Sequence, residues 1–172
     1  MVDILGPMAA LEPGRQLPSF RLKDLDGKIR TREELSKGGG ALLIFYHREC
    51  PVCQFSAPFF GAIARAMGSS TQVRVWGVSQ DPEEESEEFA RRNDLRMPIL
   101  IDEDPYPVSN ACGITNVPTL FLIDNQGKIA RTCVGFAKDD FSKIAEQLAS
   151  KAGVKPPDLF AGRSDIPALK PG

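Results

Sequence analysis

The sequence predicts an α/β sandwich, a mixed central sheet with helices on both faces and a β-hairpin in front of it. Three observations carry this prediction. In the front of the chain, apolar runs of strand length alternate with segments of helical period, the pattern of parallel strands joined by crossover helices. Two later strand-like runs are separated only by a turn, which adds an antiparallel hairpin to the same sheet. A short alternating segment around Asp26-Gly27 precedes them all.

Residues 1–17 are rich in Gly and Pro and are expected to form an irregular arm. "SFRLKDLDGKIR" then alternates apolar and polar residues, so Phe20–Leu22 and Lys28–Arg30 are expected to pair across the Asp26-Gly27 turn. Thr31, with Glu34 three residues on, makes a capping-box pattern for a short helix that glycines 38–40 stop. "ALLIFYH" (41–47) is a continuous apolar run and suits a central strand buried on both faces. A helix should open at Pro51 and run to about Met67, since proline is tolerated in a first turn.

"QVRVWGVS" (72–79) has strand composition, with Trp76 facing a core. Asp81 is placed to cap the next helix and Pro82 to open it. Glutamates 83–85, 87 and 88 crowd its start and Arg91 and Arg92 its end, both favourable to the helix dipole. "MPILID" reads as a short strand and Pro105–Cys112 as a short helix. "VPTLFLID" and "GKIARTCVGF" flank the Asn125–Gly127 turn as a hairpin. Lys138–Ala152 places Phe141, Ile144, Ala145 and Leu148 on one helical face, closing a domain over 18–152. Residues 153–172 carry four prolines and no periodicity, and this tail is expected to be extended or disordered, with length enough to lie across the domain.

At 172 residues the chain fits one domain with extensions, long enough for a sizeable core. A net charge of −2 gives no footing for nucleic acid or an anionic membrane. No apolar run approaches the roughly 20 residues needed to span a bilayer. "MVDILGPMAALEPG" lacks a basic region and is interrupted by Pro7 and Glu12, so the sequence-based expectation is a cytoplasmic protein, unless an export segment has been trimmed from it. In a reducing compartment a C-x-x-C pair is more often catalytic or metal-binding than a staple.

That pair lies in "YHRECPVCQF", where the buried strand turns into a helix. Backbone N–H groups and the helix dipole at such a start stabilise a thiolate, which makes Cys50 the nucleophile. Cys53, one turn on and shielded within the helix, is placed to attack a mixed disulfide from behind and is the resolving thiol. Beside them, Glu49 opposes a thiolate and Arg48 favours one, and His47, the only histidine, is as readily a plain strand residue as a proton carrier. A zinc site would need two more ligands, and Cys112 and Cys133 stand 21 apart without a second close pair. These two thiols read as packing residues, with a regulatory or peroxidatic disulfide at Cys112 as the sharper alternative. The acidic run at 81–88 reads as a solvated, dipole-matched helix start.

A buried strand, C-P-V-C at a helix start, Pro58 five residues past the second cysteine and a later "VPTLFLID" together resemble the thioredoxin superfamily. The front hairpin and the extra strand and helix between Cys53 and Pro118 narrow the resemblance to its redoxin branch, the TlpA/ResA-like thiol-disulfide oxidoreductases and the AhpC/TSA peroxiredoxins. The resemblance covers about residues 15–150. It implies a thioredoxin-like three-layer sandwich, a cis-proline at Pro118 facing the dithiol, and backbone hydrogen bonds from Val117 to a bound peptide, with Pro51 and Val52 at the same surface. The peroxiredoxin pattern P-x-x-x-(T/S)-x-x-C is not met. Counting back from Cys50 gives Leu43 and His47, from Cys53 Tyr46 and Cys50, and Pro118 stands where those proteins generally carry their catalytic arginine. The buried acid that thioredoxins place six residues before the first cysteine is Ile44 here, and the glutamate that ResA-like proteins carry three residues after the second is Ser56.

The expected activity is disulfide exchange with protein or small-molecule thiols, needing no metal or organic cofactor beyond the Cys50–Cys53 pair and drawing electrons from a reductase or another dithiol protein. A peroxidase passing through a Cys50 sulfenic acid, and a non-enzymatic binding module or metal carrier, are the alternatives.

Overall fold

The computed structural model describes residues 9–172. The start of the expected arm, residues 1–8, lies outside the described residues. The remainder runs along the sheet: Leu11 and Leu17 are buried, Gly14 N donates to Ile129 O at 2.8 Å, and Leu17 N donates to Gly127 O at 2.9 Å.

The front hairpin pairs β1 (Arg21–Lys23) with β2 (Ile29–Thr31), one residue later on each strand than the Asp26-Gly27 signal implies. Asp24 explains the shift. Its carboxylate accepts from the N–H groups of Asp26 and Lys28 at 2.9 Å each and from Arg30 Nε at 2.7 Å, so the loop widens to residues 24–28. Burial pushes the Asp24 carboxyl up, but Arg30 and those backbone donors outweigh it and hold it below its ordinary value. Helix α1 (Arg32–Leu35) follows, with Thr31 Oγ1 accepting from Glu34 N at 3.3 Å as the capping pattern requires.

Strand β3 (Gly40–Tyr46) is buried along its whole length, and its alternation explains why the run is uniformly apolar. Leu42, Ile44 and Tyr46 enter one core and Ala41, Leu43 and Phe45 the other. Helix α2 (Pro51–Met67) and β4 (Val73–Ser79) come next, β4 parallel to β3 with Tyr46 opposite Ser79. Gly77 in β4 is a packing requirement, since a Cβ there would lie 2.9 Å from Ile99 Cδ1 and 3.1 Å from Tyr46 Cε1. Trp76 is buried in the second core with the Arg30 guanidinium 5.4 Å from its ring centroid.

Helix α3 (Glu83–Arg92), β5 (Ile99–Ile101), α4 (Pro107–Ala111), the hairpin β6 (Thr119–Asp124) and β7 (Ile129–Val134), and the two-residue β8 (Phe136–Ala137) lead into α5 (Lys138–Ala152). The central sheet has the order β5-β4-β3-β6-β7, parallel on one side of β3 and antiparallel on the other. Helices α2, α3 and α5 pack on one face, through residues such as Phe60, Phe89 and Phe141. The arm, α1 and α4 cover the other through Leu17, Leu35 and Val108. This is a three-layer α/β/α sandwich.

The tail folds back onto the domain. Ile166 is buried and Phe160 packs on Phe59, ring centroids 5.0 Å apart. Strand β9 (Leu169–Lys170) returns to pair antiparallel with β8.

Candidate active site

Cys50 is the N-cap of α2, because the chain leaves β3 at Tyr46, turns through His47–Glu49 and meets Pro51, whose missing N–H costs nothing in a first turn. The turn is closed by Cys50 N donating to His47 O at 3.1 Å and Gln54 Nε2 donating to Arg48 O at 2.8 Å. Cys50 Sγ accepts from Cys53 N at 3.3 Å, the position of a capping oxygen, and its thiol also lies 3.3 Å from Val117 O as donor. All four cysteines are free thiols. Cys50 is half-buried and Cys53 fully buried, and no acidic residue occupies the first turn of α2. Burial drives the Cys53 thiol far above its ordinary value. The His47 backbone opposes this, while Cys50 and the Asp81 charge add to it.

The Val117–Pro118 peptide bond is cis, and Pro118 is buried beside the dithiol with its carbonyl accepting from Gly135 N at 2.7 Å. A second cis bond, Asp104–Pro105, precedes α4. Pro51 is exposed and Val52 half-buried in the first turn of α2, directly after Cys50.

The residues between strand and helix divide. Glu49 points to solvent, 73% exposed, in a loose pair with Arg48 at 3.9 Å. His47 turns its ring to Asp81, Nδ1 donating to Oδ1 at 2.6 Å, and Arg48 N donates to Asp81 Oδ2 at 2.8 Å. Asp81 is the residue that sequence reasoning missed. It was expected to cap α3, yet Pro82 is the N-cap and no side-chain cap bond forms. The parallel pairing of Tyr46 with Ser79, continued by Gln80 N donating to Tyr46 O at 3.1 Å, brings the loop after β4 against the loop after β3. The imidazole and the Arg48 N–H then take the carboxylate sideways, and Ser79 Oγ, 3.3 Å away, helps to hold it. The signal was available: Asp81 follows the carboxyl end of a strand parallel to β3, where open α/β sheets gather their functional groups.

Cys112 and Cys133 are buried in different cores, on opposite faces of the sheet. Burial pushes both thiols up to about 12, with the Asp102 charge adding at Cys112 and Asp140 at Cys133. Among the described residues no group of three or more His, Cys, Asp and Glu side chains is arranged to hold a metal ion.

The family model described as "AhpC/TSA family" matches residues 13–132. The chain belongs to the AhpC/TSA family. Within it, the chain is similar to the thiol-disulfide oxidoreductase ResA of Geobacillus thermodenitrificans, 30% identical over 141 residues that cover 81% of this chain and 79% of that one. Two solved structures share the fold. A putative protein disulfide isomerase from Bacteroides thetaiotaomicron superposes with a TM-score of 0.76 at 21% identity, covering 86% of this chain and 94% of its own. A putative thiol:disulfide interchange protein DsbE from Chlorobium tepidum gives 0.72 at 23%, covering 84% and 100%. In this AhpC/TSA chain the C-P-V-C dithiol sits at the start of α2, and neither thiol stands in the peroxiredoxin motif.

Proposed function

We propose that the chain is a thiol-disulfide oxidoreductase in which Cys50 and Cys53 cycle between dithiol and disulfide. The observation that carries this reading is the pair itself: a half-buried thiol at a helix cap, bonded by the amide of a buried thiol one turn on. The Cys50 thiolate attacks one sulfur of a substrate disulfide, the S–S bond breaks, and the departing thiolate takes up a proton. Cys53 then gives up its proton and attacks Cys50 Sγ in the mixed disulfide. The second substrate thiol leaves, and two electrons have passed from the pair to the substrate. A reductase or dithiol protein reverses the change in the pair. Thiols and disulfides of proteins or small molecules are the substrates, and no metal or organic cofactor enters any step.

Cys53 is held as a thiol by burial, so its attack needs a proton acceptor. Neither Ile44 nor Ser56 supplies one. To the His47–Asp81 pair, whose carboxylate charge Cys53 feels, we assign that role. The decisive experiment is dithiothreitol-driven insulin reduction by wild type, Cys50→Ser and Cys53→Ser. Cys50→Ser loses turnover, while Cys53→Ser still attacks and accumulates a mixed disulfide. Full activity in Cys50→Ser would sink the reading. The reduction potential of the pair then sets the direction of flow, about −270 mV marking a reductant and about −120 mV an oxidant.

A further inference from the structure

The edge of the site that a peptide would use is already taken by the chain itself. Val117 presents its carbonyl to Cys50 Sγ at 3.3 Å, and Gly135, bonded to Pro118 O, lies alongside. Against both runs the end of the tail. Phe136 and Ala137 pair with Lys170 and Leu169, Lys138 N donates to Ala168 O at 2.9 Å, and Asn116 Nδ2 donates to Gly172 O at 2.9 Å. The fit is close. A Cβ on Gly135 would lie 2.7 Å from Lys170 O and 2.8 Å from Gly172 N, and one on Gly172 would overlap the Val117 carbonyl. Lys170 Nζ stands 4.9 Å from the ring centroid of Phe55, two residues past Cys53. This is an extended segment added to a short strand beside the reactive thiol, the geometry of peptide recognition by strand addition.

We propose that residues 169–172 are a strap over the peptide-docking edge of the dithiol. The strapped enzyme exchanges with small disulfides, and an extended protein segment enters only when the strap lifts. The proposal rests on the exchange reading of Cys50, and the chemistry is unchanged: whichever disulfide enters is reduced by two electrons as Cys50 and Cys53 are oxidised.

The strap is built to lift while the rest of the tail stays. Upstream, Ile166 is buried and Phe160 is wedged between Phe59 and Phe136, with Lys138 Nζ 5.5 Å from its ring centroid. Beyond Ala168 the hold is a two-residue ladder, the Lys170 ammonium over the Phe55 ring and one side-chain bond to Gly172 O, and Leu169 is 66% exposed. Opening therefore returns little apolar surface to water, and segments held this way open at low free energy.

The test compares the full chain, a variant ending at Ala168, which keeps the Lys138 N–Ala168 O bond, and Asn116→Ala in the full chain. Each reduced protein is oxidised in a single turnover by hydroxyethyl disulfide and by insulin, and thiol loss is followed. With an open state populated to about 10% or less, removing the strap raises the insulin rate by about tenfold or more. The hydroxyethyl disulfide rate does not change. Asn116→Ala moves the insulin rate in the same direction by less, and covers the case in which the shortened chain folds poorly. Equal insulin rates in all three proteins, or an equal gain on both disulfides, overturn the strap. If the full chain fails to react with hydroxyethyl disulfide at all, the exchange reading itself falls and takes the strap with it.

Discussion

Helices α2 and α3 begin alike and end up doing opposite things. Each follows a strand of the parallel pair β3 and β4, and each has a proline at its entry, Pro51 and Pro82. At α3 the first turn holds Glu83, Glu84 and Glu85, which answer the positive end of the helix with its own side chains. At α2 the first turn has no acid, and the cap is the Cys50 sulfur. The same backbone geometry thus stabilises a helix in one place and leaves an unneutralised helix start for a reactive group in the other. The acid that precedes α3 is turned away from its own helix and bonded to His47 and Arg48, the residues leading into α2. One strand-to-helix turn carries the capping thiol, and its neighbour supplies a carboxylate to the residues that lead into it.

The comparison is broken most completely at Cys50. Cys50→Ser keeps the helix cap, since serine is a good N-cap, but removes the nucleophile. Turnover should fall to background while the melting temperature barely moves. Next in size is an effect of pH on stability. Cys53, Cys112 and Cys133 are all held as thiols in the fold, whereas in the unfolded chain they ionise near pH 8.5. Above that pH the unfolded state binds fewer protons, so stability falls as pH rises, by up to about 1.4 kcal/mol per pH unit for each protected thiol. Thermal melts on the alkaline side of pH 8.5 check this. A flat profile contradicts it, and Cys112→Ala should make the slope shallower.

Asp81→Asn separates two readings of the borrowed carboxylate. If Asp81 acts only through its charge, removing it makes Cys53 more acidic and release of the mixed disulfide faster. As a proton acceptor, its loss should slow that step by about a hundredfold, the lower end of the usual range for general acid–base catalysis, and flatten its pH dependence. Rapid-quench measurement of mixed-disulfide decay decides between them. Smaller still, Glu83→Gln, Glu84→Gln and Glu85→Gln together should cost about 0.3–1 kcal/mol per charge at low salt, read from denaturant melts, without altering the rate at Cys50. Smallest is Glu49→Gln. Glu49 is mostly exposed, so its charge is worth at most about 1 kcal/mol. A modest rise in the rate of attack that fades in high salt is the expected result.

Local chemistry made much of this molecule legible. The bounds of α2 and α5 follow from Pro51, from the apolar stripe of Phe141, Ile144, Ala145 and Leu148, and from Gly153, which ends α5 with a left-handed backbone. The double burial of β3 follows from a run with no charged residue in it and only the Tyr46 hydroxyl as a polar side-chain group. What escaped was set by distant partners. The front hairpin slipped because the Asp24 carboxylate takes in two turn amides and Arg30. Asp81 left its capping position because a contact across 34 residues outcompeted the helix next to it. The Gly- and Pro-rich tail carries no periodic signal, and its place was fixed by Phe160, Ile166 and a two-residue ladder to β8.

The N-terminal segment reaches both margins of the central sheet. Asp24 forms a bridge to Leu100 on β5, with Leu25 N donating to Ile99 O at 3.0 Å, and Gln16 forms a bridge to Lys128 just ahead of β7. Thr132 Oγ1 donates to Leu11 O at 2.6 Å farther along the β7 margin. Outer strands with open N–H and C=O groups invite pairing with other chains, and proteins counter this by covering them. Here one stretch of about fifteen residues bonds to both margins of the sheet, which leaves fewer open groups on either edge for another chain to pair with.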